Sequence, residues 1–236
     1  MALPKLVTPE FETTIPSTKE KIKFRPFLVK EEKILYMALE SEDEKTIEQA
    51  INNVLESCIL SDTDTKKLAS YDIEYLFLQL RSKSVGEVVE LNLQHGNALE
   101  CKHITKYKLS VEDVQVVFND KHKYTVMIDD KYGIKLKDPS MSDVINNIDE
   151  KKSEYESVID IISNCVVCVY DEDNVYDDFT KDEIEEFLSN LTQTQFKGIQ
   201  DFFETLPKLE HKIEWVCKEC GKEESLLLEG MKSFFM

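Results

Sequence analysis

The spacing of apolar side chains along the chain changes repeatedly between the strand period and the helical period. Alternating apolar and polar residues predict strands over 11–15 and 22–27, which would pair as a hairpin. Apolar residues at helical spacing predict a helix over 30–40, with Ile34, Leu35, Met37 and Ala38 as its apolar positions. The mixture of periods predicts an α+β fold with several helices and β-hairpins.

Two capping boxes mark further helix starts, because a Ser or Thr followed three residues later by Glu satisfies free backbone N–H groups. Ser41 with Glu44 predicts a helix that runs to Cys58, and Thr180 with Glu183 predicts a second. Helical spacing alone predicts helices over 70–82, 141–148, 153–163 and 192–206. Alternation predicts strands over 114–118, 124–128 and 134–136, and a strand or buried turn over 165–170.

The most specific chemical motif lies near the C-terminus, where Cys217 and Cys220 are followed at once by Gly221 and flanked by strand-like residues. A tight turn with this spacing places two thiolates on one side of a metal, and glycine allows the backbone to approach the sulfurs. The motif is typical of one half of a zinc ribbon. A closed structural zinc needs four ligands, so a second half is expected elsewhere.

The best second half is the hairpin pattern around His95 and Cys101, which parallels the pattern around Cys217 and Cys220. Together these four residues would form a His-Cys-Cys-Cys zinc site, with His103 as a reserve ligand. The alternative is that the site holds no metal and that His95 simply occupies a hairpin tip. The other Cys-x-x-Cys pair, Cys165 and Cys168, lies in an apolar β-branched stretch without a turn-forming residue, which favours buried thiols that act as small hydrophobes.

If the two knuckles meet, distant parts of the chain are neighbours, and the whole chain, 1–236, is predicted to form a single entangled unit. Within it we distinguish an N-terminal hairpin with helices, a first knuckle with β structure, a helical segment, and a second knuckle with a C-terminal tail. These four regions are predicted to span 1–84, 85–138, 139–207 and 208–236.

The charge balance argues against nucleic acid as the partner. The formal net charge is −18, whereas phosphate binding depends on Lys and Arg. No apolar run reaches the length of a membrane span, and the N-terminal residues do not resemble a signal peptide. Free cysteines without an export signal favour a reducing cytoplasm.

The sequence contains no recognisable catalytic constellation. Glycine-rich phosphate loops, Gly-x-Ser-x-Gly and His-Glu-x-x-His motifs are absent. The acidic stretch 171–178 invites a calcium interpretation, but Tyr176 and Asp182 stand where an EF-hand loop requires glycine and glutamate. A polar turn is the better interpretation, and we predict that the chain is not an enzyme.

The order of these elements resembles the baseplate hub proteins of T-even-type contractile-tailed phages. The resemblance rests on the stretch that begins Tyr75-Leu-Phe-Leu-Gln-Leu-Arg, on Asp-Glu-Asp-Asn-Val-Tyr-Asp before a capped helix, and most densely on 194–211 with the following Trp-Val-Cys-Lys-Glu-Cys-Gly. It covers most of the chain from about residue 11 and implies a hub subunit or hub assembly factor that is made in the host cytoplasm. It also implies a cysteine in the first knuckle where this chain has His95.

The resemblance implies other baseplate hub or tail proteins as partners, and a place in the virion tail baseplate if the chain is a retained subunit. Phe234 and Phe235 would form a small apolar anchor on such a partner, or alternatively fold back onto the ribbon. Two other interpretations stay open: a transient assembly chaperone absent from the mature virion, and a zinc-ribbon module that binds nucleic acid or polymerase.

Overall fold

The computed structural model describes residues 6–94, 101–147 and 153–234, and over these residues the fold is α+β. The α-helices are α1 (Val29–Glu40), α2 (Glu44–Cys58), α3 (Ser70–Val85), α4 (Met141–Asn147), α5 (Glu154–Cys165), α6 (Lys181–Ser189) and α7 (Gln193–Glu204). The strands are β1 (Phe11–Thr14), β2 (Lys21–Phe24), β3 (Val88–Leu93), β4 (Thr105–Ser110), β5 (Gln115–Val117), β6 (Thr125–Met127), β7 (Gly133–Leu136), β8 (Val166–Tyr170), β9 (Val175–Tyr176), β10 (Lys208–Val216) and β11 (Glu223–Glu229). The predicted fold class is therefore confirmed at this level.

The predicted N-terminal hairpin is present, with β1 and β2 antiparallel and Phe11 opposite Phe24. Its buried face packs on α2, α3 and α4 to form the first apolar core. The core residues of α3 recur at helical spacing, with Ile73, Leu76 and Leu80 all buried, as the sequence pattern predicts.

The prediction for the start of α2 is wrong in detail. Asp43, not Ser41, is the N-cap, and its carboxylate accepts from the Thr46 backbone N–H. Ser41 instead ends α1, and its hydroxyl donates to the Ala38 carbonyl. The turn between the two helices is so short that Ser41 still caps the C-terminal end of α1. The capping box at Thr180 forms at the start of α6 as predicted.

The helix α1 has the predicted extent, but only part of its apolar pattern faces the core. Ala38 is buried and Leu35 packs against the first core, whereas Ile34 and Met37 are exposed. The inward positions also include the charged Glu31, which is held by Arg25. The helix therefore has more apolar side chains than it packs against the core.

The second core joins two hairpins that are far apart in sequence. β3 and β4 form one antiparallel pair, and β10 pairs with both β11 and β5 in a three-stranded sheet. Alternate residues of both sheets, including Leu91, Leu109 and Ile213, pack together with Leu78 of α3. Alternation places every second side chain on this shared face.

The third core lies between the sheet of β6, β7, β8 and β9 and the helices α5, α6 and α7. Ile134, Ile199 and Phe202 are buried there. The acidic stretch after β8 is a polar turn, because the Asp171 carboxylate accepts from the backbone N–H groups of Asp173 and Asn174.

Distant segments contribute to the same cores. α3 supplies Leu76 to the first core and Leu78 to the second, and Met231, near the C-terminus, is buried in the first. The region boundaries at 84, 138 and 207 stay predictions. No helix in the described parts of the chain combines the length and apolar character needed to cross a membrane.

Candidate metal centre

The turn that joins β10 to β11 has the geometry of a metal-binding knuckle. Cys217 donates its backbone N–H to the Lys222 carbonyl, and Gly221 donates to the Cys217 carbonyl, both at 2.8 Å. Gly221 has φ of +73°, with no atom within 4 Å of where a Cβ would lie. Glycine is therefore required by the left-handed backbone and not by crowding.

The shared second core brings the two hairpins to this turn. The inward residues of β3 and β4 meet those of β10 and β11, so the segment that precedes β4 lies beside the end of β10. Cys101 in that segment reaches Cys217, 116 positions further along the chain. Both thiols are buried, with exposed fractions of 8% for Cys101 and 1% for Cys217, while Cys220 is exposed.

The sulfur positions fit a tetrahedral metal. The Sγ atoms of Cys101, Cys217 and Cys220 all lie within 4.8 Å of one another, and the Cys101–Cys217 separation is 3.8 Å. A tetrahedral zinc with Zn–S bonds of about 2.3 Å requires sulfurs about 3.8 Å apart. A disulfide would require about 2.05 Å, and the three thiols are free. The three cysteines could therefore hold a metal ion.

Backbone dipoles in the knuckle favour the thiolate at one position. The backbone N–H groups of Cys220 and Glu219 point at the Cys217 sulfur, and the former contact is the main reason that the pKa of Cys217 is lowered. At Cys101 the backbone N–H of His103 also favours the thiolate, but burial and the two neighbouring thiols outweigh it, and the pKa is raised. A divalent cation would offset this mutual repulsion among thiolates.

The fourth ligand position has no described occupant. His95 lies outside the described residues. His103, the reserve ligand, does not join the sulfur cluster among the described side chains, and its Nδ1 lies 3.7 Å from the Glu219 carboxylate.

The second Cys-x-x-Cys pair has a different environment. Cys165 is the last residue of α5 and is fully buried, and Cys168 lies on β8 opposite Lys135. Burial raises the pKa of Cys165 to about 12. The structure thus supports the interpretation of Cys165 as a small hydrophobe.

The predicted apolar anchor at the C-terminus, Phe234 and Phe235, lies largely outside the described residues. Phe235 is not described, and of Phe234 only the backbone is, at the end of a 3-10 helix, Met231–Phe234. Met231 itself is buried, and its backbone N–H contacts the Glu74 carboxylate. The base of the tail is therefore part of the core.

Sequence reasoning missed the contacts around the sulfurs. The N–H groups of Glu219 and Cys220 point at Cys217, and the turn with Gly221 is their sequence signal, whereas nothing in the sequence indicates that the His103 N–H points at Cys101. The 3.7 Å approach of His103 Nδ1 to the Glu219 carboxylate joins the two knuckles across the sequence, and no local pattern indicates it.

Comparison with known proteins places the chain in a class that builds virus tails. Residues 8–236 match the family described as T4 bacteriophage base plate protein. Because the match spans nearly the whole chain, the protein belongs to this family and has a structural or assembly role in a phage baseplate.

A particular relative matches over the same length. The chain is 22% identical over 229 residues to the baseplate hub assembly protein gp26 of Enterobacteria phage T4, covering 96% of this chain and 98% of the relative. No solved structure matches the chain significantly.

Proposed function

We propose that this chain acts in assembly of the hub of a contractile-tail baseplate, by protein–protein contact and without catalysis of its own. The observation that carries the proposal is the end-to-end match to a hub assembly protein, since agreement over 96% of one chain and 98% of the other supports a shared role of the whole fold. Assembly would take place in the host cytoplasm, with other hub or tail proteins as partners.

The site geometry supports a structural metal in this role. We propose that Cys101, Cys217 and Cys220 bind one zinc ion and that His95 completes the set, with His103 as the alternative fourth ligand. Two of the three sulfurs are buried, which suits a closed structural site better than a catalytic site with an open position. Bound zinc would tie the β3–β4 hairpin to the β10–β11 hairpin.

Two of the lysines near the cysteines are paired with carboxylates, which weakens the nucleic-acid alternative. Lys212 pairs with Glu214 at 2.5 Å and Lys222 pairs with Glu224 at 2.9 Å. These cations are neutralised locally on a chain of net charge −18. Retention on heparin at physiological salt would contradict this part of the proposal, because counterion release requires uncompensated basic groups.

The direct test of the hub role is co-expression with the other hub proteins of the same phage, followed by affinity capture of this chain. We expect at least one hub protein to be captured, and a phage that lacks this gene to accumulate incomplete tails. Normal tails in its absence, with no hub protein captured, would overturn the proposal.

A second experiment separates a lasting subunit from a transient chaperone. Mass spectrometry of purified virions and of tail intermediates would detect the chain in both if it is a subunit, and in precursors alone if it leaves after assembly. Detection in neither would contradict both forms of the proposal.

The terminal phenylalanines are tested without disturbing the core. Because Met231 is buried, the deletion must begin after it, so we would remove Phe235 and Met236 and replace Phe234 by Ser. We expect unchanged unfolding and weaker capture of the hub partner, since two aromatic side chains at an interface contribute a few kcal/mol. Unchanged capture would place the contact surface elsewhere.

A further inference from the structure

The outward face of α1 carries a stripe of large side chains that the core does not use. Val29, Tyr36 and Met37 are 80%, 62% and 60% exposed, and Lys33 and Glu40 are exposed among them. These five positions follow the spacing i, i+4, i+7, i+8 and i+11, which places them on one face of a helix. We call them the α1 stripe.

The opposite face of α1 is firmly attached to the molecule. Glu31 is 2% exposed, and its carboxylate accepts from Arg25 at 3.0 Å and from the Leu28 backbone N–H at 2.8 Å. The Arg25 guanidinium also donates to the Ser57 carbonyl of α2 at 3.0 Å. Arg25 directly follows β2, so these contacts link α1 to the end of the N-terminal hairpin and to α2, and the α1 stripe is presented on a fixed support.

Four of the five stripe residues, Lys33, Tyr36, Met37 and Glu40, are placed symmetrically about a point between Tyr36 and Met37, whereas Val29 has no counterpart in α1. Tyr36 and Met37 lie midway between Lys33 and Glu40, which are seven residues, two helical turns or about 10.5 Å, apart. If a second α1 crosses antiparallel with a two-fold axis between Tyr36 and Met37, each Lys33 faces the other chain's Glu40. The four central side chains, two of Tyr36 and two of Met37, then meet on the axis.

The charges at the ends of the helix are complementary under the same operation. The exposed Lys30 and Lys33 lie in the first half of α1, where Glu31 is buried against Arg25 and Glu32 is half-buried, while Glu40 and the exposed Glu42 and Asp43 lie at or just beyond the end of the helix. No basic residue stands in the last turn of α1, so the partial negative charge of its carbonyl end is not offset there. An antiparallel second copy supplies lysines at that end.

We propose that the α1 stripe is a self-association surface, and that its occupant is the α1 stripe of a second copy of this chain. A two-fold interface uses the same patch on both copies, which a self-complementary stripe satisfies. A helix of 12 residues is about 18 Å long, so the interface is smaller than the roughly 800 Å² per partner of stable complexes. The dimer is therefore weak and concentration-dependent.

Charge-swap variants give the sharpest test. Their association is measured by sedimentation equilibrium at chain concentrations from about 1 to 300 µM. The buffer has physiological salt, where the Debye length is about 8 Å. For the wild type we expect an average mass that rises from that of the 27.4 kDa chain towards twice that value. Lys33→Glu and Glu40→Lys should each weaken the dimer about tenfold, because each places like charges together at two symmetric positions. The double variant Lys33→Glu/Glu40→Lys should recover wild-type association.

Recovery in the double variant is specific to a two-fold contact, because a different partner would not exchange its charges at the same time. Tyr36→Ser/Met37→Ser should abolish association, and Tyr155→Ser on α5, also an exposed tyrosine, is the matched control that should leave it unchanged. Circular dichroism confirms that each variant is folded. A wild type that stays monomeric throughout the range, or a double variant no better than the singles, would overturn the proposal.

Discussion

The chain contains two Cys-x-x-Cys pairs with identical spacing and different surroundings. In the pair Cys165 and Cys168, the first residue ends α5 and the second lies on β8, whose Val166 and Val169 belong to the third apolar core. In the pair Cys217 and Cys220, the residues lie on a turn closed by Gly221 at φ +73°. Only the second pair meets a third sulfur, that of Cys101, among the described residues.

The two environments shift the pKa of the buried thiol in opposite directions. Burial without a compensating donor raises the pKa of Cys165 to about 12, whereas backbone N–H groups lower that of Cys217. Both sulfurs are almost inaccessible to solvent. Spacing therefore does not define a metal site. What distinguishes the candidate site is the turn that directs N–H groups at a sulfur and the packing that supplies a third sulfur.

The largest effect is expected from removing a ligand of the turn pair. Cys217→Ser should lower the free energy of unfolding by at least about 3 kcal/mol, because structural zinc contributes on the order of 10 kcal/mol to small zinc-dependent folds and this fold has further cores. The measurement is urea denaturation in the presence of zinc.

Cys168→Ser is the matched control, since its side chain is partly exposed and lies outside the sulfur cluster. It should change the free energy of unfolding by less than about 1 kcal/mol. Equal destabilisation in the two variants would remove the distinction between the pairs.

A smaller effect is expected at the buried member of the other pair. Cys165→Ser places a hydroxyl in the apolar core and should cost about 2 kcal/mol, the range for a buried polar group with poor hydrogen bonding. Zinc content should stay at the wild-type level, and elemental analysis of the same preparation checks it. Loss of zinc in Cys165→Ser would contradict the assignment of this thiol to the core.

Gly221→Ala probes the turn itself. A Cβ at φ +73° should cost about 1 kcal/mol, although space is available around it. Because Asn tolerates this backbone region better, Gly221→Asn should lose less. Thermal unfolding of the two variants in parallel measures the difference, and the reverse order would show that the glycine is needed for another reason.

The last prediction involves no substitution and compares the alkylation rates of two cysteines in the folded wild-type protein. After chelation at pH 8, Cys220 should be alkylated readily because it is exposed. Cys165 should react only on unfolding, since a pKa of about 12 leaves about one thiol in 10,000 ionised. Peptide mapping after timed alkylation distinguishes the sites, and rapid labelling of Cys165 in folded protein would contradict its burial.

Local sequence signals predicted much of this fold because their causes are local. The Thr180 box caps α6, and the strand-like residues predicted on either side of Cys217 and Cys220 form the C-terminal hairpin of Lys208–Val216 and Glu223–Glu229. The prediction of Ser41 as the cap of α2 was wrong, because Ser41 ends α1 and the tight turn that follows it leaves Asp43 as the N-cap.

Long-range features were less accessible to sequence reasoning. The juxtaposition of Cys101 with the turn pair was inferred from the likeness of two hairpins, and the structure brings these three sulfurs together. The pairing of Arg25 with Glu31 and the outward face of α1 depend on how whole elements pack, so helical spacing alone assigned Met37 to the same pattern as Ala38.

The most direct test of the metal centre is native mass spectrometry of the full chain purified without chelator. We predict one zinc per chain in the wild type and in Cys168→Ser, and none in Cys217→Ser or Cys101→Ser. A wild type without zinc, or zinc that persists in Cys217→Ser and is lost in Cys168→Ser, would contradict the account.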